Sequence, residues 1–134
     1  MSNFKLSTAS EEKLAGVHPD LVKVVRRALT LSPVDFKVIE GVRTLARQKE
    51  LFAKKATKTM NSRHLTGHAV DLVPLPLDWN NRQAFESVAK AMQQAAKQLG
   101  IAIRWGGDWN MNGSSTDEKF YDGPHFELLR AVYP

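Results

Sequence analysis

A chain of 134 residues, 43% hydrophobic and 25% charged, has the make-up of an ordinary soluble domain and can bury a modest core without staples. It contains no cysteine, which excludes disulfides and thiolate metal sites and leaves carboxylates and four histidines as the available ligands. No apolar run reaches membrane-spanning length, and the polar stretch from Met1 to Leu14 lacks the hydrophobic segment of a secretory signal.

The elements follow in chain order without repeats, low-complexity tracts or an interdomain linker, so residues 1–134 read as one domain. Thr8 and Glu11 resemble a capping box opening a short first helix. A second helix is expected from Pro19 to about Leu31, with Leu21, Val24, Val25 and Ala28 at helical spacing and Ser32-Pro33 ending it. Phe36 to Glu40 reads as a strand closed by Gly41. A third helix, from about Thr44 to Ala56, should carry Leu45, Leu51 and Phe52 inward, and Thr57 to Arg63 should be a loop. Ala69 to Val73 reads as a buried strand halted by Pro74 and Pro76. The clearest helix spans about Asn81 to Leu99, with Phe85, Val88, Met92, Ala95, Ala96 and Leu99 in one stripe and Gly100 as its stop. Strands are expected at Ile101 to Trp105 and Phe126 to Leu129, with a long polar loop from Gly106 to Gly123 between them. Trp79 and Trp105 are expected in the core. Helices early and strands late predict an α+β class, with helices on one face of a small, mainly antiparallel sheet.

The net charge of +5 is uneven: residues 1–63 hold thirteen Lys/Arg against six Asp/Glu, and the remainder six against eight. The basic half includes Arg26, Arg27, Arg43, Arg47, Lys49, Lys54, Lys55, Lys58 and Arg63. Interleaved charge of this kind is the ordinary surface of exposed helices, and it also suits an anionic wall or membrane surface.

Two short stretches carry chemistry. Ser62-Arg63-His64-Leu65-Thr66-Gly67-His68-Ala69-Val70-Asp71 supplies His64 and Asp71, and Tyr121-Asp122-Gly123-Pro124-His125-Phe126-Glu127-Leu128 supplies His125. Two histidines and an aspartate form a three-ligand set that leaves one tetrahedral zinc position open for water, the pattern of a hydrolase. On a continuous strand His64 and Asp71 would lie roughly 20 Å apart, so the chain must turn between them, and Thr66-Gly67 permits that. His68 sits four residues after His64, as in the zincin helix, but Leu65 stands where that motif needs Glu; His68 is expected at the rim and not as a ligand. His18 is expected to cap or flank a helix start. Asp122 is the favoured base for the attacking water, with Glu127 as its competitor; Glu127 shares a strand face with His125 and could instead support it or touch substrate. From spacing alone Arg43 is one more surface arginine. In Asp108-Trp109-Asn110-Met111-Asn112-Gly113, oxygen side chains alternate and a Gly follows, resembling the start of a calcium loop. Its twelfth position is Lys119, with Asp117 and Glu118 alongside; a polar lid without an ion is an equal reading.

The segments Ser62-x-His64-x-x-Gly67-x-Ala69-x-Asp71 and Asp122-x-x-His125 resemble the zinc peptidases of the D-Ala-D-Ala carboxypeptidase (VanY-like) superfamily. Within it the chain is most similar to small tailed-phage endolysins that are L-alanyl-D-glutamate endopeptidases. The likeness extends to Gly41-Val42-Arg43-Thr44, Asp78-Trp79-Asn80, Gly107-Asp108-Trp109-Asn110 and the closing Tyr121 to Leu128. It implies a Hedgehog/D-Ala-D-Ala peptidase-like fold, Zn2+ held by His64, Asp71 and His125, Asp122 as base, and Arg43 holding the transition state. Carboxypeptidase relatives usually carry Glu where Asp122 stands; Pro124, where Gly would be expected, departs from the pattern. The resemblance further implies a peptidoglycan stem peptide as substrate, synthesis in the host cytoplasm without a signal peptide, release through holin pores to the periplasm and wall, and, in some relatives, Ca2+ as a regulator. One catalytic domain without a separate wall-binding domain, acting as a monomer with no nucleic-acid partner, is expected.

The rivals are a D-Ala-D-Ala carboxypeptidase on the same wall, a non-haem iron oxygenase using the same facial triad, and a non-catalytic binding module stabilised by a structural zinc. The last requires a fourth protein ligand, for which His68 is the obvious candidate.

Overall fold

The computed structural model describes residues 4–55, 62–109, 111 and 121–134. Helix α1 spans Thr8–Leu14 and α2 spans Pro19–Leu31; strand β1 is Phe36–Glu40 and helix α3 is Leu45–Ala53. A 3-10 turn at Arg63–Thr66 leads into β2, Ala69–Pro74; α4 spans Arg82–Leu99, β3 is Ile103–Trp105 and β4 is His125–Leu128. The four strands form one antiparallel sheet in the order β1-β2-β4-β3. Helix α1 packs on β1, α4 packs on β2 and β3, and α2 packs on α4, which is the expected α+β layering.

Strand alternation sorts the side chains. Phe36, Val38, Val70, Leu72, Ile103, Trp105, Phe126 and Leu128 join Leu21, Val24, Val25, Ala28, Val88, Met92 and Ala95 in one buried core. Asp71, His125 and Glu127 fall at the alternate positions, on the opposite face. Asp71 is the direct cross-strand partner of His125, and Glu127 that of Arg104.

Helix boundaries follow from local chemistry. Pro19 occupies the first turn of α2, with His18 as its N-cap: the His18 Nδ1 accepts the Asp20 N–H at 3.1 Å. Asn81 caps α4 through Ala84, and Gly100, left-handed at φ 70°, ends it. The α1 cap is Ser7, whose hydroxyl accepts the Ser10 N–H; Thr8 is already helical, so the capping-box reading is one residue late. Ser10 is itself buried and accepts the Val38 N–H at 3.0 Å, tying α1 to β1 where the β1–β2 register shifts.

Four expectations fail. Helix α3 turns Gln48 inward, while Leu45 is 54% and Phe52 47% exposed; a helix this short is oriented by the polar contact described below instead of by its apolar residues. Pro74 is the last residue of β2 and does not halt it earlier, its missing N–H being harmless at a strand end. Leu99, in the final turn of α4, is exposed. Trp79 is 59% exposed and stacks on Phe85 at 5.6 Å, outside the core that holds Trp105. Residues 57–61 of the expected loop, and Ala56 at the expected end of α3, lie outside the described residues.

Candidate metal centre

The 3-10 turn brings His64 back toward β2. Ser62 caps it by accepting the His64 N–H, and Gly67 closes it at φ 75°, with its carbonyl accepting the His18 N–H at 2.8 Å. A Cβ on Gly67 would meet the Gly16 carbonyl oxygen at 2.6 Å, so both the left-handed backbone and the close approach require glycine. This is the turn that lets residues seven positions apart share a site.

His64, Asp71 and His125 then offer ligand atoms that all lie within 4.8 Å of one another. The second-row hydrogen bonds fix which ring nitrogen each imidazole presents. The His64 Nδ1 lies 2.8 Å from the Gly41 carbonyl, which can only accept, so Nδ1 carries the proton and Nε2 faces Asp71 at 3.3 Å. The His125 Nε2 lies 2.8 Å from the Glu127 carboxylate, and its Nδ1 faces Asp71 at 3.4 Å. The two rings meet edge-on at 5.2 Å. His64 Nε2 and Asp71 Oδ1 are buried and have no hydrogen-bond partner, an arrangement that is costly unless a cation takes both lone pairs. Two imidazole nitrogens and a carboxylate oxygen are a donor set that suits zinc.

Burial works to raise the Asp71 carboxyl, yet His125 and His64 outweigh it and hold that carboxyl well below the ordinary range. Burial works to lower His125, and Asp71 and Glu127 outweigh it, raising the imidazole to about 9. Glu127 is buried and also pairs with the Arg104 guanidinium at 2.9 Å. Arg104 in turn lies over the Trp109 ring at 5.0 Å, and Trp109 packs on His125 at 5.2 Å.

Asp122 lies at the solvent edge of the same face, its backbone carbonyl accepting the His125 N–H at 3.1 Å. The protein packed around its carboxyl raises it above the ordinary range; Asp71 adds to that, while His125, His64 and Arg43 oppose it. Arg43 is not the exposed arginine its spacing suggests: its side chain is 9% exposed and donates to both carboxylate oxygens of Glu40, at 2.7 and 2.8 Å, and to Gln48 at 2.7 Å. Ser62 accepts a longer bond from it at 3.5 Å. Burial opposes its charge; Glu40, Asp71 and Asp122 support it, with the net effect upward.

His68 stays outside the cluster. Its Nδ1 bonds the Thr66 hydroxyl at 2.6 Å and its ring lies 5.6 Å from that of His18, so among the described residues no fourth ligand closes the site. Of the calcium-loop candidates, Asn110, Asn112, Asp117 and Glu118 lie outside the described residues, and Asp108 is buried. Glu40 and Gln48 were missed from sequence. Gln48 had a signal: it stands three residues after Leu45 and four before Phe52, a polar residue on the stripe read as inward.

An α+β domain carries, on the sheet face opposite its apolar core, a largely buried histidine–aspartate–histidine group that could hold a metal ion. Residues 1–129 match the phage L-alanyl-D-glutamate peptidase family. The L-alanyl-D-glutamate peptidase of Escherichia phage T5 is 44% identical over 136 residues, spanning 95% of this chain and 99% of that one. That of Listeria phage A118 is 30% identical over 132 residues, spanning 93% of this chain and 41% of its own length. The crystal structure of the Serratia marcescens L-Ala D-Glu endopeptidase ChiX superposes with a TM-score of 0.85 at 44% identity, covering 98% of this chain and 96% of that one. The chain belongs to the phage L-alanyl-D-glutamate peptidase family.

Proposed function

We propose that this protein is a zinc-dependent endopeptidase that hydrolyses the L-Ala–D-Glu amide of the peptidoglycan stem peptide, acting as an endolysin. The observation that carries the reading is the convergence of His64 Nε2, Asp71 Oδ1 and His125 Nδ1, two of these atoms buried without hydrogen bonds, beside a carboxyl with a raised pKa. Zinc held by these three side chains would supply a Lewis acid and an acidified water at neutral pH.

The chain's own groups do the rest. Asp122 accepts the proton that water gives up as its oxygen attacks the L-Ala carbonyl carbon. As the C–N bond breaks, Asp122 passes that proton to the departing D-Glu amine. Arg43 holds the carbonyl oxygen while negative charge gathers there. Glu127 fixes His125 in the orientation that presents Nδ1, and Arg104 holds Glu127 in turn.

The same reading has a monomer made in the host cytoplasm and released to the wall through holin pores; no helix among the described residues is long and apolar enough to cross a membrane. The basic half would rest on anionic envelope. Several of its cations are already engaged, Arg26 with Glu11 and Arg47 and Lys54 with Glu50, and Arg43 and Arg63 point inward, which leaves Lys49 and Lys55 among those to test.

The test is mass spectrometry of purified muropeptides after digestion, with metal analysis of the protein. New L-alanine C-termini and D-glutamate N-termini, lost with chelator, restored by zinc and absent for Asp122→Ala, are expected. Release of free D-alanine instead would replace the specificity, and cleavage by fully metal-free protein would remove zinc from the reading.

A further inference from the structure

Arginine carries five N–H donors in one rigid plane, so its partners determine what remains for a ligand. In Arg43, Nε and Nη2 each give a hydrogen to one oxygen of Glu40, at 2.7 and 2.8 Å. Nη1 gives its two to Gln48 at 2.7 Å and to Ser62 at 3.5 Å. One Nη2 hydrogen is left without an acceptor among the described residues.

We propose that Glu40 is the positioning residue of this site, holding the Arg43 guanidinium in the single orientation that offers that Nη2 hydrogen to the reacting carbonyl, with Gln48 as its second support. The proposal rests on the role given to Arg43 above. A surface pair three residues apart contributes little and is easily broken. This one differs in two respects. The Arg43 side chain is 9% exposed and Glu40 27%, and Gln48, across the guanidinium from Glu40, is fully buried. The backbone is tied down as well: the Arg43 N–H donates to the His64 carbonyl at 2.9 Å, and the Gly41 carbonyl holds the His64 ring. A Cβ on Gly41 would fall 1.9 Å from the Lys13 carbonyl oxygen, so the loop from Glu40 to Arg43 is fixed against α1 by a contact only glycine allows.

Glu40 also has a competitor to hold off. Asp71 and Asp122 both attract Arg43. Without the bidentate hold of Glu40 the guanidinium would be free to swing onto those carboxylates, engaging the proposed base and a proposed ligand. Glu40 therefore keeps the cation near the reacting groups and off them.

The experiment uses the zinc-loaded full chain and purified muropeptide, with kcat and KM, metal content and thermal unfolding measured for Glu40→Gln, Glu40→Asp, Gln48→Leu, Arg43→Ala and the Glu40→Gln/Arg43→Ala double variant. Glu40→Gln keeps the side-chain shape and loses the charge. It is expected to lower kcat roughly 10- to 100-fold with KM and metal content unchanged, the scale of a misplaced catalytic group. Glu40→Asp should recover part of the loss, and the double variant should be no slower than Arg43→Ala alone, because a positioning residue has nothing left to position. Should Glu40→Gln fail to fold, Gln48→Leu must show a smaller kcat loss that likewise vanishes in the Arg43→Ala background. A Glu40→Gln kcat within about twofold of the parent, or losses that multiply in the double variant, overturns the proposal. Wild-type turnover by Arg43→Ala would instead remove the role of Arg43 itself, a separate and recognisable failure.

Discussion

The two faces of β2 and β4 use neighbouring residues for opposite ends. Val70, Leu72, Phe126 and Leu128 face the helices and are fully buried in apolar company. Asp71, His125 and Glu127, interleaved with them, face away and carry two carboxylates and an imidazole drawn together at distances of 2.8 to 3.4 Å. One face gains from leaving water, and its tolerance to change is set by volume. The other holds polar atoms out of water at a cost that only a ligand repays, which is the signature of function and not of stability. A period of two therefore places the source of stability and the candidate reaction centre one residue apart along the chain.

That contrast can be broken by substitution. The largest effect expected is from Asp71→Asn, which should reduce both zinc content and muropeptide turnover to background, because the shared oxygen of both histidines loses its charge; retained stoichiometric zinc by metal analysis would contradict it. Asp122→Asn should lower kcat about 10²- to 10⁴-fold while zinc content and unfolding temperature stay as they were, the range for loss of a general base. Phe126→Ala, next to His125 but on the helix side, should cost about 3–5 kcal/mol in denaturant unfolding. Its folded fraction should still bind one zinc. If it loses zinc while folded, the two faces are not separable.

A smaller effect concerns protons. His125 is raised to about 9 in the metal-free protein, so at pH 7 its ring is charged and must release a proton for Nδ1 to bind a cation. Asp71 sits far below neutrality and releases none. Zinc affinity should therefore rise by about tenfold per pH unit through neutrality and level off above pH 9. Calorimetry in buffers of different ionisation enthalpy would measure the proton released; a pH-independent affinity between 7 and 9 would show that His125 is not the ring displaced.

The same contrast explains what could be read from the chain. Helix α4 was legible nearly to the residue because Phe85, Val88, Met92 and Ala95 repeat at helical spacing between an Asn cap and a Gly stop. The candidate ligands were legible only as a set: His64 or Asp71 alone is more often structural, and the pair gains weight with His125, which the fold brings beside them. Helix α3 was misread because its orientation comes from one polar contact with the loop just before it, Gln48 to Arg43, and not from its apolar residues. Glu40 went unnoticed for a related reason: its partner is the arginine, and the value of that pair lies in what the arginine faces. Trp79 was misplaced because an aromatic ring in a loop can satisfy itself by stacking on one neighbour.

Arg63, just before His64, reaches across to the carbonyls of Leu128 and Tyr133, while the Tyr133 hydroxyl donates to Asp20 at 2.7 Å. The final residues are thereby stapled to the same short turn that delivers His64. Anyone fusing a tag or a targeting peptide after Pro134 would be pulling on that turn, so a generous spacer is advisable, and trimming back to Ala131 should loosen a histidine more than sixty positions away.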